Sequence, residues 1–363
     1  MAYSWIEINQ EAFNHNCAYY KNLIGKNNKL AAVIKGNGYG HGIEHIALLC
    51  EQSKNIDWIC VAQLSEALLL KDISKPILVL GYSDMDPELV VGKTNIYFMV
   101  DHLEYAQLLN EIGKRNSYYF NIHIKVDTGL SRMGVLPQDA VVFIQAIQKL
   151  HYLKINGIYS HFAASDSNQE FTAIQLQEFN TILEQLKPKH IVIENIHMRN
   201  SAAISTVQYP DSFNFFRVGL GLYGLGLEKD HLKSVMTWKT KIAHIKTVPA
   251  YSFIGYANTY QTKRETRIAL LPIGYYDGYK FRFSNKTSVV INNQSAPVIG
   301  RVAMNITMVD VTDIEANTGD EVILVGADEA VHPDTLTQKA EIKNVREILT
   351  GINSSIIREI IEN

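Results

Sequence analysis

Ala31-Ala32-Val33-Ile34-Lys35-Gly36-Asn37-Gly38-Tyr39-Gly40-His41-Gly42 begins as an apolar run too short for a helix, ends that run at a lysine, and breaks at once into glycine-rich backbone. This is the pattern of a strand feeding a turn. Ligands of α/β proteins bind at the carboxyl ends of strands, so the Lys35 amine stands at a binding end and is a candidate Schiff-base lysine. A solvated lysine that merely closes a strand reads equally well from this stretch alone.

Outward from it a rhythm appears. Strand-length apolar runs occur at Ala31–Lys35, Trp58–Ala62, Pro76–Gly81, Tyr97–Val100, Phe120–Val126, Ile155–His161, Ile191–His197 and Phe216–Gly224. Between most of them lie polar stretches with helical apolar spacing, such as Ser65–Leu70, His102–Ile112, Pro137–Leu150 and Gln169–Leu186. Eight such runs within residues 9–228 predict an α/β fold, an N-terminal (β/α)8 TIM-type barrel. A doubly wound open sheet shares the alternation and stays open at this point. After about Lys229 the runs become short and closely spaced, at Met236–Ile245, Arg267–Leu271, Ser288–Ile291, Ala296–Ile299, Met304–Val311 and Glu321–Val325, with turns at Asn292-Asn293 and Thr318-Gly319. They predict a C-terminal mainly β domain over 229–363. The alternating stretch near Ser4–Ile8 has no place in an eight-stranded barrel and is assigned to that second domain.

The composition of the 363 residues is that of an ordinary globular protein, with 47% hydrophobic and 20% charged residues. A formal net charge of -3 gives no electrostatic case for nucleic acid. No apolar run approaches the roughly 20 residues of a membrane span, and the first residues lack a basic flank before an apolar core, so a cytoplasmic protein is expected. Cys17, Cys50 and Cys60 show no metal-ligand spacing; they read as reduced, buried thiols, and no metal is expected.

Barrels hold phosphate groups with the loops after strands seven and eight. Arg199-Asn200-Ser201-Ala202 after the seventh run looks like a helix start carrying a free hydroxyl, and Gly219 in the eighth permits close backbone approach. Each alone is also an ordinary cap or packing glycine. Together with Lys35 they compose a coherent pyridoxal-phosphate site.

The Lys35 segment resembles the cofactor-lysine motif of the alanine racemases, pyridoxal-phosphate enzymes in which the lysine precedes a small residue, Asn or Asp, a small residue, and Tyr-Gly-His-Gly. Phe213-Asn214-Phe215-Phe216-Arg217-Val218-Gly219-Leu220-Gly221-Leu222-Tyr223-Gly224 is similar to that family's segment in which an arginine meets the pyridine nitrogen and the next residues bind phosphate. The resemblance therefore implies pyridoxal 5'-phosphate as cofactor, with Lys35, Tyr39, Asn200, Ser201, Arg217, Gly219 and Leu220 around it. Arg217 would not yield its proton, so the ring nitrogen would stay unprotonated, which suits removal and return of one proton.

Inverting a stereocentre needs bases on opposite faces, and the resemblance supplies both. Lys35 is one. Ile254-Gly255-Tyr256-Ala257-Asn258-Thr259-Tyr260 is similar to the motif whose first tyrosine is the other, which implies Tyr256. A phenol with a pKa near about 10 is a poor base unless its neighbours lower it, and His161 in Ser160-His161-Phe162-Ala163 matches the family histidine that links that tyrosine to the arginine. In Lys125-Val126-Asp127-Thr128-Gly129-Leu130-Ser131-Arg132-Met133-Gly134 the resemblance makes Arg132 the clamp for the substrate carboxylate and for the cofactor's phenolic oxygen, and Lys125 a candidate for carbamylation. An ordinary Lys125 paired with Asp127 is the alternative. Met304 matches a residue facing the substrate carboxylate, Tyr275 an entrance tyrosine, and Arg301 an arginine further out.

The resemblance covers nearly the whole chain. It implies alanine as the small amino-acid substrate, D-alanine for peptidoglycan as the product, and a head-to-tail homodimer with shared active sites, with no nucleic-acid or membrane partner. Two positions depart from the pattern: Asn305 stands where an aspartate is common, and Ser354 stands where some members place a tyrosine. They leave serine or a broader set of substrates open. A decarboxylase of the same architecture or a non-catalytic pyridoxal-phosphate-binding barrel are further alternatives.

Overall fold

The computed structural model describes residues 3–207 and 213–362. Its strands in chain order are β1 (Ser4–Asn9), β2 (Lys29–Val33), β3 (Trp58–Val61), β4 (Ile77–Val79), β5 (Ile96–Val100), β6 (Phe120–Lys125), β7 (Leu153–Tyr159), β8 (Asn195–His197) and β9 (Phe215–Val218), followed by β10 (Met236–Lys241), β11 (His244–Val248), β12 (Thr266–Leu271), β13 (Ser288–Ile291), β14 (Gln294–Pro297), β15 (Thr307–Asp310), β16 (Glu321–Val325) and β17 (Ile357–Ile361). Two compact units result, one of Asn14–Lys35 and Ile46–Leu232, the other of Met1–Phe13, Gly36–His45 and Lys233–Asn363.

The first unit is the barrel. Its parallel strands follow the order β8-β7-β6-β5-β4-β3-β2-β9. The ring closes beside β8 and β9, where Asn214 N–H donates to Ile196 O at 3.3 Å and Arg217 N–H to Arg199 O at 3.2 Å. Strands covered by helices outside and side chains inside must be apolar on both faces, and β3, β4 and β9 are buried at every position.

The covering helices show why they form. Leu103–Asn116 buries Ala106, Leu109 and Ile112, one stripe at helical spacing, and ends at Ser117 in the left-handed region, φ 52°. Its start has no side-chain cap, so packing holds it: Leu109 and Ile112 contribute roughly 1.5–3 kcal/mol each. Gln169–Leu186 starts where the Asn168 side chain accepts from Phe171 N–H at 3.0 Å.

Several runs are shorter than their apolar stretches: Pro76–Gly81 contributes only Ile77–Val79, Met304–Val311 only Thr307–Asp310, and Met236–Ile245 divides between β10 and β11. Only Asn195–His197 of the seventh run pairs with β7, because Val192 lies 90% exposed outside the ladder. The eighth leaves the sheet at Gly219, whose φ/ψ of -112°/-93° breaks extended backbone, and continues as the 3-10 turn Leu220–Tyr223. Gly221 in that turn is required by packing, since a Cβ there would lie 2.1 Å from the Tyr20 hydroxyl.

The second unit is mainly β. A six-stranded sheet runs β14-β13-β16-β10-β1-β17 and a three-stranded sheet runs β11-β12-β15. The N-terminal strand β1 is inserted between β10 and the edge strand β17, antiparallel to β10 through Ile6↔Trp238 and parallel to β17 through Ile6↔Arg358. Asn292 and Asn293, at φ 48° and 60°, form the tight β13–β14 turn that their side chains favour. The unit also holds the glycine-rich segment, where Gly36, Asn37, Gly38 and Tyr39 are consecutively left-handed at φ 64°, 54°, 62° and 52°. Glycine at two of these positions removes the Cβ penalty, and Asn37 Oδ1 secures the turn by accepting from Ile43 N–H at 2.9 Å.

Cys17, Cys50 and Cys60 are unpaired and buried. Among the described residues no helix is long and apolar enough to cross a membrane.

Candidate active site

The carboxyl ends of the barrel strands carry a layer of polar side chains set by register. Lys125 at the end of β6 is opposite Tyr159 on β7, and Tyr159 is opposite His197 on β8. On β9, Arg217 pairs across from Ala31 of β2, the strand that leads into Lys35. His161 lies two residues beyond the end of β7. In-register parallel strands therefore bring residues more than 180 positions apart to one end of the barrel.

Arg217 is the centre of this layer, at 4% exposure. Its guanidinium donates to His197 Nδ1, to Ser160 O at 2.9 Å, to His161 Nδ1 at 3.3 Å and to Met198 O at 3.5 Å. Each of these acceptors is neutral. Its carbon lies 5.1 Å from the centre of the Tyr159 ring, and Lys125 Nζ lies 5.0 Å from the same ring. His161 is held well below the ordinary imidazole range by burial first, then by Arg217, Lys125, Arg132 and Lys35. That set places four basic side chains within electrostatic reach of one neutral imidazole. Because an arginine only donates, His161 Nδ1 accepts and its Nε2 carries the proton.

Lys125 is 2% exposed and donates to Val126 O at 3.2 Å. Burial, reinforced by Arg217, lowers its amine to about 7, so that near neutrality a substantial fraction of it is uncharged. Asp127 does not have to serve as its partner. Its carboxylate accepts backbone N–H bonds from Gly129 and Ser131 at 3.0 Å and from Arg132 at 2.9 Å. Burial raises the carboxyl, but those donors outweigh it and hold it below the ordinary value. They shape the loop that presents the exposed Arg132.

After β8, Asn200 caps the helix Ser201–Thr206, accepting from Ala203 N–H at 3.0 Å. The Ser201 hydroxyl is not free, as its sequence position suggested: its oxygen accepts from Gly219 N–H at 3.1 Å, leaving its hydrogen to donate. This bond ties the two loops expected to hold phosphate, with buried Leu220 next to Gly219.

The remaining expected residues lie in the second unit. Tyr39 is 9% exposed, its hydroxyl raised by burial and drawn down by Arg346. Tyr256 follows Gly255, φ 71°, and is 72% exposed. Tyr275 N–H bonds Ala303 O at 3.1 Å and Tyr276 N–H bonds Met304 O at 3.0 Å; a Cβ on Gly274 would come within 2.2 Å of Ala303 O, so glycine is what lets these loops meet. Arg301 stands over the Phe281 ring at 5.8 Å, and that ring lies 6.4 Å from Tyr275. Asn305 and Ser354 are exposed.

Sequence reasoning did not single out Tyr159, His197 or His123, which the layer depends on. The signal was present: polar rings inside strand runs that are apolar on both sides.

The chain matches the alanine racemase N-terminal domain over residues 8–226 and the alanine racemase C-terminal domain over 235–360. It is 36% identical to an alanine racemase of Clostridium novyi, covering 97% of this chain and 92% of that one, and 36% identical to an alanine racemase of Methanococcus maripaludis, covering 97% and 95%. A solved alanine racemase of Clostridium difficile superimposes with a TM-score of 0.92 at 34% identity over 100% of this chain and 97% of its own. Both halves match in order and at nearly full length, and the chain belongs to the alanine racemase family.

Proposed function

We propose that the protein racemises alanine with pyridoxal 5'-phosphate, and the observation that carries this is Arg217, buried at the barrel end with neutral acceptors only and bonded to His161. The donor set fits the cofactor: a buried guanidinium uncompensated by any carboxylate among its hydrogen-bond partners suits a pyridine lone pair, and the surrounding lysines and arginines suit a phosphate. When bound, the cofactor withdraws electrons from the amino acid and acidifies its Cα–H.

The chain's own residues do the rest. Lys35 anchors the cofactor covalently and, once released by substrate, holds or returns the proton on one face of Cα. Arg217 donates to the ring nitrogen without protonating it, which disfavours loss of the amino group. Tyr39, the Ser201 hydroxyl hydrogen, and the backbone at Asn200, Gly219 and Leu220 hold phosphate. Arg132 and Met304 hold the substrate carboxylate, and Tyr275 and Arg301 line the entrance. Tyr256 is the second base, and the Nε2–H of His161 is the donor that stabilises its phenolate.

The second unit exposes Tyr251, Phe253, Tyr256, Tyr276, Phe281 and Met304, large side chains that a subunit contact would cover. This supports a head-to-tail homodimer in which Tyr256 serves the partner's barrel. D-alanine for peptidoglycan, made in the cytoplasm, is the product this reading assigns.

Lys125 as a carbamate is supported by its depressed amine, since only the uncharged form adds carbon dioxide. With 13C-bicarbonate, a carbamate carbonyl signal is expected to grow as pH rises through about 7 and to be missing in Lys125→Ala. Absence of the signal in the unsubstituted protein above that pH would exclude the modification.

The activity itself is tested by proton NMR of L-alanine in deuterated buffer with cofactor-loaded protein, followed by chiral analysis. Deuterium at Cα with D-alanine accumulating is expected. The same measurement with L-serine sets the range that Asn305 and Ser354 leave open. No exchange with any small amino acid would sink the proposal.

A further inference from the structure

Behind Arg217 the barrel interior holds a second pair of imidazoles. His197 Nδ1 accepts from the guanidinium, and His197 Nε2 lies 2.9 Å from His123 Nδ1. Both rings are fully buried. The proton positions along this chain are dictated from one end. Arginine cannot accept, so His197 Nδ1 is bare and its Nε2 carries hydrogen. That hydrogen points at His123 Nδ1, which is then bare as well, and His123 carries its own hydrogen on Nε2. This last nitrogen is buried with no hydrogen-bond partner among the described residues.

The barrel makes room for the arrangement at a cost to its own regularity. The β6–β7 ladder shifts register between Ile122 and His123. Gly157 faces that position on β7, and a Cβ there would lie 2.5 Å from His123 Nδ1. An aliphatic side chain at residue 123 would need neither the space nor a partner, and would leave no orphaned N–H among Trp58, Tyr97 and Phe215. On the other side, His197 is fixed flat against Tyr159, ring centres 4.6 Å apart and 4° from parallel. Tyr159 is the same ring over which Arg217 and Lys125 lie.

We propose that His197 and His123 are positioning residues for Arg217, a neutral two-imidazole relay in which His123 takes the Nε2 hydrogen of His197 and so keeps the Nδ1 lone pair of His197 on the guanidinium. The inference rests on the reading of Arg217 given above. Burial, followed by the neighbouring basic groups, Arg217 foremost, resists protonation of either ring, which would break the relay. A carboxylate in place of His197 would also hold an arginine, but it would neutralise the charge that Arg217 presents; an imidazole acceptor orients it and leaves the charge intact.

The first test needs no substitution. In full-length protein labelled with 15N-histidine, long-range proton–nitrogen correlation is expected to show both rings neutral and protonated on Nε2, assigned by the loss of each signal in His123→Leu and His197→Gln. An Nδ1–H form or a charged ring at either position overturns the relay. The second test reads what Arg217 does in the loaded enzyme, the fraction of alanine that leaves as pyruvate after surrendering its amino group to the cofactor instead of recovering its proton. His197→Leu is expected to raise that fraction about 10- to 100-fold, the scale of one lost charge-assisted hydrogen bond, and His197→Gln, which restores an acceptor, to bring most of it back. If His197→Leu leaves the fraction unchanged while Arg217→Lys raises it, the relay is refuted and the reading of Arg217 stands. If neither raises it, the reading of Arg217 fails, and the role proposed for the two histidines fails with it.

Discussion

Lys35→Ala is expected to yield a folded protein that no longer retains pyridoxal phosphate through dialysis, has lost the visible absorbance of the bound cofactor, and racemises alanine at least about 10^4-fold more slowly. Two roles vanish together, the covalent anchor and one base. The fold should tolerate the change because the backbone around residue 35 is set by other groups. Ile34 N–H bonds Cys60 O at 2.9 Å, and the left-handed turn that follows is held through Asn37. Lys35 is only partly buried, so its truncation leaves little cavity. A small primary amine added to the variant is expected to restore part of the activity, because it replaces the missing base but not the anchor. Unchanged absorbance and rate in Lys35→Ala would mean that the lysine merely closes its strand.

The barrel was legible because its strands are buried on both faces, and such runs stand out from the amphipathic helices between them. Gln169–Leu186 appears over the residues its spacing indicates. Boundaries at the last two strands were not, because hydrophobicity continues where the ladder stops: Ile191 to Ile193 are apolar yet unpaired, and Leu220–Tyr223 is apolar yet turned. The site divides similarly. Lys35, Arg132 and Arg217 announce themselves beside glycine-rich turns or within apolar runs. Pairings across the sheet, such as Lys125 with Tyr159 and Tyr159 with His197, depend on register, which no local pattern encodes. His123 and His197 went unmarked in the sequence, and their place in the site emerges only when the direction of each hydrogen bond is followed back to Arg217.

Tyr256→Phe separates the two faces of Cα, and the measurement must be chosen with care. The interconversion of enantiomers has an equilibrium constant of one, so kcat/KM for L to D and for D to L must fall together, by about 10^2- to 10^4-fold for loss of a general base. Racemisation rates alone thus cannot reveal which base was removed. Exchange can. With Tyr256 gone, Lys35 still takes the proton from its own face and returns deuterium from solvent to the same face. D-alanine is therefore expected to gain deuterium at Cα with retention of configuration, while L-alanine, whose proton faces the missing phenol, gains almost none. Phenylalanine keeps the ring on the exposed loop after Gly255, so packing changes little and the loss reports the hydroxyl. If both enantiomers still exchange at the original rate, a single base or a bound water reaches both faces and the two-base reading is wrong. If D-alanine loses its exchange and L-alanine keeps it, Tyr256 and Lys35 have been placed on the wrong faces.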